Sequence, residues 1–180
     1  DLSEFMSNRL TSVSINSAQN NPLQPDVQYR GFTASPLLGL PQGLAVYQNG
    51  ARINEPLGDS VNWDLLPESA IHSVDLIGGT NPVFGLNSLG GALVVTMKNG
   101  FNYTETEVKA YTGSWDRNVV DVHTGNHYAL SNGVEWGYYL NFSHFEEDGW
   151  RDLSQSDAEN YYATLSWRGG TGSALDLSYQ

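Results

Sequence analysis

The residues best suited to bind a metal in this sequence are four histidines and one acidic run. His123 and His127 are four residues apart, a spacing that brings two ligands together on a helix. On a strand, the same spacing leaves both side chains on one face but far apart. The run Glu146-Glu147-Asp148 lacks the spaced oxygen ligands and the glycine of an EF-hand calcium loop. His72 and His144 stand alone, so the sequence predicts no dedicated metal site.

Motifs for catalysis are missing from the sequence. It contains no cysteine and no Gly-x-Ser-x-Gly nucleophile motif. The segment Gly39-Leu40-Pro41-Gln42-Gly43 lacks the lysine and the Ser/Thr of a phosphate-binding loop. Acidic residues are frequent, but none is marked as half of a positioned acid–base pair. We therefore expect no catalytic residues, no cofactor and no enzymatic activity.

Composition favours a mostly β protein of one or two domains. Glycine accounts for 19 of 180 residues and aromatic residues for 12%, which is typical of chains with many strands and turns. The formal net charge of −12 argues against nucleic acid as a partner, because binding to the phosphate backbone needs Lys and Arg. No run of about 18 apolar residues is present, so no transmembrane helix is predicted.

A glycine-rich stretch from Ile71 to Lys98 organises the first half of the chain. A strand is predicted over Ile71–Ile77, followed by a turn that contains Pro82, which has no N–H to give to a ladder. A second apolar run, Ala92–Met97, predicts the next strand. The glycines between the strands allow positive φ or close approach of two backbones.

Two shorter motifs lie upstream of this stretch. Val27–Phe32 is predicted to be a strand that carries Tyr29-Arg30-Gly31-Phe32. Leu44–Tyr47 is predicted to be a strand that turns back at Asn49-Gly50, because Asn-Gly favours positive φ at both central positions of a tight hairpin.

Alternating strands dominate the chain after about residue 103. In the third of five predicted strands, Trp136, Tyr138, Leu140 and Phe142 share one face. Alternation alone fits a soluble β-sandwich that buries its apolar face as well as a barrel that turns this face to lipid. The length of the run 134–146 favours the barrel, because soluble strands usually have about five or six residues. A membrane strand needs about nine to eleven.

Taken together, these motifs resemble the plug domain of TonB-dependent outer-membrane receptors. The family's Tyr/Phe-Gly pair, Leu-Gly-Gly and Thr-x-Lys are matched by Phe84-Gly85, Leu89-Gly90-Gly91 and Thr96-Met97-Lys98. Arg30-Gly31-Phe32 matches its Arg-Gly-Phe, and Val46–Asn54 matches its strand, tight turn and return strand.

The resemblance implies a small α+β plug domain in residues 1–100. Residues 101–180 would be the first five or so strands of an antiparallel transmembrane β-barrel in the bacterial outer membrane, with the plug inside it. Such barrels have about 22 strands, so we expect the chain to be part of a longer protein. The turn at Asn132-Gly133 would be periplasmic, and residues 146–158 would form an extracellular loop. The energy-coupling segment would precede Asp1.

The implied function is active uptake of a scarce nutrient such as an iron chelate, cobalamin, a glycan or a peptide. The TonB energy-transducing complex would be its partner, and the barrel would contact outer-membrane lipid. Phe84 either stacks on cargo or packs inside the plug, and Arg30 either contacts cargo or forms a structural salt bridge. The candidate cargo-binding residues are Arg30, Asn54, Glu55, Pro56, Leu57, Phe84, Gly85, Leu86 and Asn87.

Two other functions stay open. A secreted β-rich binding module, for example a glycan-binding sandwich, would be soluble without detergent. An outer-membrane platform for a surface lipoprotein would form a stable complex with that lipoprotein in detergent extracts.

Overall fold

The computed structural model describes residues 2–16, 21–131 and 133–180 of a mostly β chain. Asp1 and Asn132, the latter in the predicted periplasmic turn, lie outside the described residues. The chain divides into two compact units, Asp1–Met97 and Lys98–Gln180. Within the described residues, no helix combines the length and apolar character needed to cross a membrane.

The described residues of the first unit form one α-helix, three short 3-10 helices and two sheets. Three strands form a sheet in the order β1-β2-β3, and four form a sheet in the order β5-β4-β7-β6. Short 3-10 helices span Trp63–Leu65, Glu68–Ala70 and Pro82–Phe84. The other elements are α1 (Leu2–Arg9), β1 (Val13–Asn16), β2 (Asp26–Tyr29), β3 (Phe32–Ala34), β4 (Leu44–Gln48), β5 (Ala51–Arg52), β6 (Ile71–Gly78) and β7 (Gly91–Met97).

The four-stranded sheet has the Leu-Gly-Gly motif at one end and the Asn49-Gly50 turn and Met97 at the other. β4 pairs parallel to β7, with Leu44 opposite Gly91, and β6 pairs antiparallel to β7, with Gly78 opposite Gly91. The starts of β4 and β7 and the end of β6 therefore lie at the same end of the sheet, here called the apical end. Leu44 and Val95 are among the buried side chains that form the core beneath it.

Close backbone approach explains the Leu-Gly-Gly motif. Gly91 has φ +130°, and a Cβ atom at this position would lie 2.2 Å from the carbonyl oxygen of Ile77. At Gly90, a Cβ atom would lie 2.6 Å from the Phe32 ring. Only glycine fits at both positions, so the motif fixes how tightly β7 packs against its neighbours.

The local turns confirm one prediction and correct another. Asn49 and Gly50 have φ of 49° and 84°, as predicted for a tight Asn-Gly hairpin. The predicted continuous strand Val27–Phe32 is wrong, because it is broken into β2 and β3 by a second hairpin. Arg30 and Gly31 both take positive φ, at 50° and 85°, and this reverses the chain direction.

The second unit is a five-stranded antiparallel sheet in which each strand pairs with its neighbour in sequence. β10 and β11 are 13 residues long, which exceeds the about nine to eleven residues that a tilted strand needs to cross a bilayer. The loop between them, residues 148–155, is shorter than predicted. The strands are β8 (Thr106–Thr112), β9 (Asn118–Ala129), β10 (Glu135–Glu147), β11 (Ser156–Arg168) and β12 (Ala174–Tyr179).

The two faces of this sheet have inverted burial: the polar face is buried and the apolar face is exposed, the reverse of a soluble sheet. In β10, Tyr139, Asn141 and Ser143 are buried, whereas Leu140 between them is 50% exposed. In β11, the buried side chains are Tyr162, Thr164 and Ser166, and Leu165 is 47% exposed. The face that carries hydroxyl and amide groups is thus buried, and the face that carries leucines is open. A soluble β-sandwich buries the opposite face.

Candidate functional site

Two loops meet at the apical end of the first unit, and Arg52 joins them. The first apical loop is residues 53–60, and the second apical loop is residues 79–90. Arg52 donates through Nη1 to the carbonyl oxygen of Leu86 at 2.8 Å, and through Nη2 to Oδ1 of Asp59 at 3.0 Å. Its Nε donates to Oδ1 of Asn54 at 3.2 Å. All three guanidinium nitrogens are therefore used to hold one loop against the other.

A second contact between the loops runs through Asp59. Its Oδ2 accepts a hydrogen bond from Nδ2 of Asn87 at 2.8 Å, so each carboxylate oxygen has its own partner. Asp59 and Asn87 have φ of 53° and 56°. Two residues with left-handed backbone thus face each other across the loops, and such conformations cluster at functional sites.

Asn54 anchors the first loop to β4. Its Oδ1 accepts from the backbone N–H of Val46 at 2.7 Å, and its Nδ2 donates to the carbonyl oxygens of Leu44 and Asp59, each at 3.1 Å. Only 9% of Asn54 is exposed. The resemblance implies Asn54 as a cargo contact, and the structure gives its amide four partners within the first unit.

Phe84 is half-buried against Tyr47. The ring centroids are 5.9 Å apart at 54°, and the Tyr47 hydroxyl donates to the Phe84 carbonyl oxygen at 2.9 Å. The next residue, Gly85, lies beside the Arg52 guanidinium. A Cβ atom added at Gly85 would be 3.7 Å from Nη1 of Arg52. The loop turn is capped by Asn81, whose Oδ1 accepts from the N–H of Val83 at 3.0 Å.

The remaining candidate residues are open to solvent. Glu55, Pro56, Leu57, Leu86 and Asn87 are exposed, and Glu55 accepts a hydrogen bond from Nδ2 of Asn62 at 2.9 Å. Arg30 is exposed in the β2–β3 turn, with its guanidinium 5.1 Å from the centre of the Tyr29 ring. Arg30 is not part of the Arg52 network described above.

A second polar cluster lies in the second unit around the buried His123. Nε2 of His123 is 2.9 Å from the Tyr103 hydroxyl, 3.1 Å from Oε2 of Glu107 and 3.5 Å from Nζ of Lys98. Burial lowers the pKa of Lys98 and raises the pKa of Tyr103. His123 and His127 do share a face, but His127 instead contacts the carbonyl oxygen of Gly100 at 3.2 Å. Sequence reasoning considered His123 only as a metal ligand and missed this network.

Replacing Arg52 should loosen both apical loops at once. In the Arg52→Ala variant of the full-length protein, we expect faster amide hydrogen exchange in residues 54–59 and 82–88, since three hydrogen bonds to a charged group are lost. Each such bond contributes about 1.5–3 kcal/mol. Arg52→Lys should behave almost like alanine, because an ammonium group cannot reach three acceptors in a fork. Asp59→Asn, which keeps an acceptor, should have a smaller effect. Unchanged exchange in residues 82–88 of Arg52→Ala would contradict the role assigned to Arg52.

Comparison with known proteins identifies the family to which this chain is related. The TonB-dependent receptor plug domain model matches residues 1–92, just over half of the 180-residue chain. The ferric yersiniabactin uptake receptor FyuA from Yersinia pestis is similar in structure, with a TM-score of 0.63 at 13% sequence identity. The likeness covers 98% of this chain and 28% of that receptor, and it concerns the fold alone. No curated protein matches the sequence. The resemblance predicted from the motifs is confirmed, and the chain belongs to the family of TonB-dependent receptor plug domains.

Proposed function

We propose that this chain is part of an outer-membrane receptor that takes up a scarce nutrient with energy from the TonB complex. Residues 1–100 would be its plug, and residues 101–180 the first five strands of its barrel. The family match supports the plug assignment. The chain spans 28% of the length of FyuA, so the activity, the cargo and the partners of the whole protein are part of this proposal.

The inverted burial of the second unit is the observation that carries the proposal. Side chains such as Leu140 and Leu165 remain about half exposed, while Ser166 is fully buried. A secreted binding module would leave this apolar face in water, which costs roughly 25 cal/mol for each Å² that could have been buried. A lipid bilayer removes that cost, so the pattern favours the barrel over the secreted module.

Aromatic rows at both borders of the apolar face support a membrane position. At one border, Trp136 pairs with Tyr128 of β9 and with Trp167 of β11. At the other border, Phe142 pairs with Tyr161. The rows are six residues apart along β10. Aromatic girdles flank the apolar band on both sides in outer-membrane barrels.

The apical loops are the proposed cargo-binding region. Glu55, Pro56, Leu57, Leu86 and Asn87 are exposed side by side on two loops that Arg52 joins. Asn54 would act by positioning the first loop, because its amide is engaged with backbone groups. Gly85, the half-buried Phe84 and the exposed Arg30 complete the proposed set. Since the loops are joined, cargo bound to one would also shift the conformational equilibrium of the other.

The uptake proposal is tested by comparing nutrient depletion in three strains. Spent medium from the wild type, a strain without the receptor gene and a strain without the TonB complex would be compared by mass spectrometry. We expect at least one compound to be depleted by the wild type and to remain in both mutant cultures. If the receptor mutant depletes every compound that the wild type does, or if depletion continues without the TonB complex, the proposal is wrong.

A charge on the outward face should block barrel assembly. Leu140→Arg places a cation among lipid-facing side chains, which costs about 2–4 kcal/mol near the bilayer midplane. We expect the full-length variant to be depleted from the outer membrane, whereas the uncharged control Leu140→Ala should assemble. In a soluble module the same half-exposed position would tolerate arginine within about 0.5 kcal/mol. Normal levels of the Leu140→Arg protein in the membrane would therefore contradict the barrel.

A further inference from the structure

Residues 98–105, here called the anchor segment, lie across the polar face of the five-stranded sheet. The segment and the sheet both belong to the second unit, which begins at Lys98, directly after the end of β7. The Phe101 ring contacts the His127 ring of β9, with centroids 5.6 Å apart. The Arg168 guanidinium at the end of β11 lies 3.8 Å from the centre of the same Phe101 ring. The segment therefore reaches from β9 to β11.

Three glycines let the backbone of the anchor segment contact the backbone of the sheet. A Cβ atom added at Gly100 would clash with the backbone nitrogen of Tyr138, and one added at Gly125 would lie 2.5 Å from the carbonyl oxygen of Tyr103. At Gly137, the added atom would lie 3.3 Å from Cα of Gly100. None of these three glycines has a positive φ, so close approach and not turn geometry requires them.

Polar contacts tie both ends of the segment to β9. Near its start, the carbonyl oxygen of Gly100 is 3.2 Å from Nδ1 of His127. At its end, the carbonyl oxygen of Glu105 accepts a hydrogen bond from the N–H of Gly125 at 3.0 Å. This last bond continues the ladder between β8 and β9 by one residue into the segment.

The side chain of Tyr103 fills the space between these two contacts. Its ring packs edge-on against the ring of the buried Tyr139, with centroids 5.6 Å apart, and its hydroxyl is 2.9 Å from Nε2 of the buried His123. Nζ of Lys98 lies 4.2 Å from the centre of the Tyr103 ring. The first residue of the second unit is thus already in contact with the segment, and no loose linker separates it from β7.

We propose that the anchor segment stays fixed to the sheet while the first unit changes conformation during uptake. This inference rests on the proposed function and deepens it by placing the limit of the moving part between Met97 and Lys98. Close-packed surfaces separate only when many contacts break together, because they leave no room for gradual sliding. Hinges consist of a few residues, often at the end of an element, and the end of β7 is such a place.

Docking of the segment can be measured by amide hydrogen exchange in the full-length receptor. Gly125→Ala pushes a methyl group into the carbonyl group of Tyr103, so we expect exchange in residues 99–105 to become at least about tenfold faster. Gly113→Ala is the matched control, because its added Cβ atom would lie at an ordinary 3.5 Å from Cβ of Arg117. It should leave exchange in residues 99–105 unchanged.

Equal exchange of residues 99–105 in Gly125→Ala and in the wild type would overturn the proposal. Gly137→Ala provides a milder second variant if Gly125→Ala does not assemble. Its added atom would lie 3.1 Å from the Phe101 ring, a distance that a small shift of the side chain can relieve. A smaller increase in exchange is expected there, and no increase would overturn the proposal.

Whether the segment stays docked during uptake is tested by bridging it to the sheet. The 180 residues contain no cysteine, so Phe101→Cys with His127→Cys places two thiols where two rings are in contact. His127 is exposed and Phe101 is partly exposed, so a small reagent can reach both positions. Dibromobimane becomes fluorescent when it bridges two thiols, which measures how completely the bridge forms. Uptake of a compound found in the depletion experiment is compared in the bridged double variant and in the two single variants treated with the same reagent.

We expect the bridged receptor to take up the compound at a rate within about twofold of the single variants, since a segment that does not move is unaffected by a bridge. A larger loss that occurs only when both thiols are bridged would mean that the segment must detach, and it would overturn the proposal. Failure of the thiols to bridge in a receptor located in the outer membrane would overturn it as well. If no compound depends on the receptor and the TonB complex, the proposed function fails, and the exchange comparison decides the docking by itself.

Discussion

The five-stranded sheet of the second unit buries its polar face and leaves its apolar face open. Successive side chains of a strand point to opposite faces, so a shift of one residue would exchange the two faces completely. β10 pairs along its whole length with β11 and along twelve residues with β9, which fixes the register. With the register fixed, Leu140 and Leu165 must meet whatever solvent lies on the open face. A hydrocarbon solvent would remove the cost of leaving these leucines in water, as the proposed membrane barrel requires.

In the first unit, glycines and one arginine set the geometry of the apical end. Gly91 lets β6 and β7 approach more closely than a side chain would allow, and the end of β6 and the start of β4 lie on either side of the start of β7. The loops that leave this end are linked to each other, in addition to the hydrogen bond that fixes Phe84 to Tyr47 of β4. Arg52 and Asp59 supply the link with a fork of charge-assisted hydrogen bonds, which are stronger and more directional than neutral ones. The proposed cargo surface is therefore a consequence of how the strands end.

Strands and faces could be predicted from the sequence because they depend on local pattern. The alternation of Trp136, Tyr138, Leu140 and Phe142 was sufficient to place β10, and Asn49-Gly50 was sufficient to place a hairpin. The open apolar face was favoured by the length of the run, not by the alternation. The β2–β3 hairpin was missed, because it requires Arg30 to adopt a left-handed backbone conformation, which is uncommon for arginine.

The contacts of the site could not be predicted, because they join residues that are distant in sequence. Arg52 reaches a carbonyl oxygen 34 positions away, and no periodicity reports which loop it will meet. Asn54 was assigned to cargo from its place in a loop, yet its amide matches backbone groups of β4 that only the folded sheet brings near. Burial of His123 likewise depends on the neighbouring strands.

The most direct test of the barrel is the membrane partition of the full-length protein. Outer membranes would be separated from the other fractions, and samples would be run on a gel with and without heating. We expect the protein in the outer-membrane fraction and a band that shifts on heating, because a closed barrel stays folded in detergent until it is boiled. A soluble protein with no shift would contradict the membrane barrel and would favour the secreted binding module.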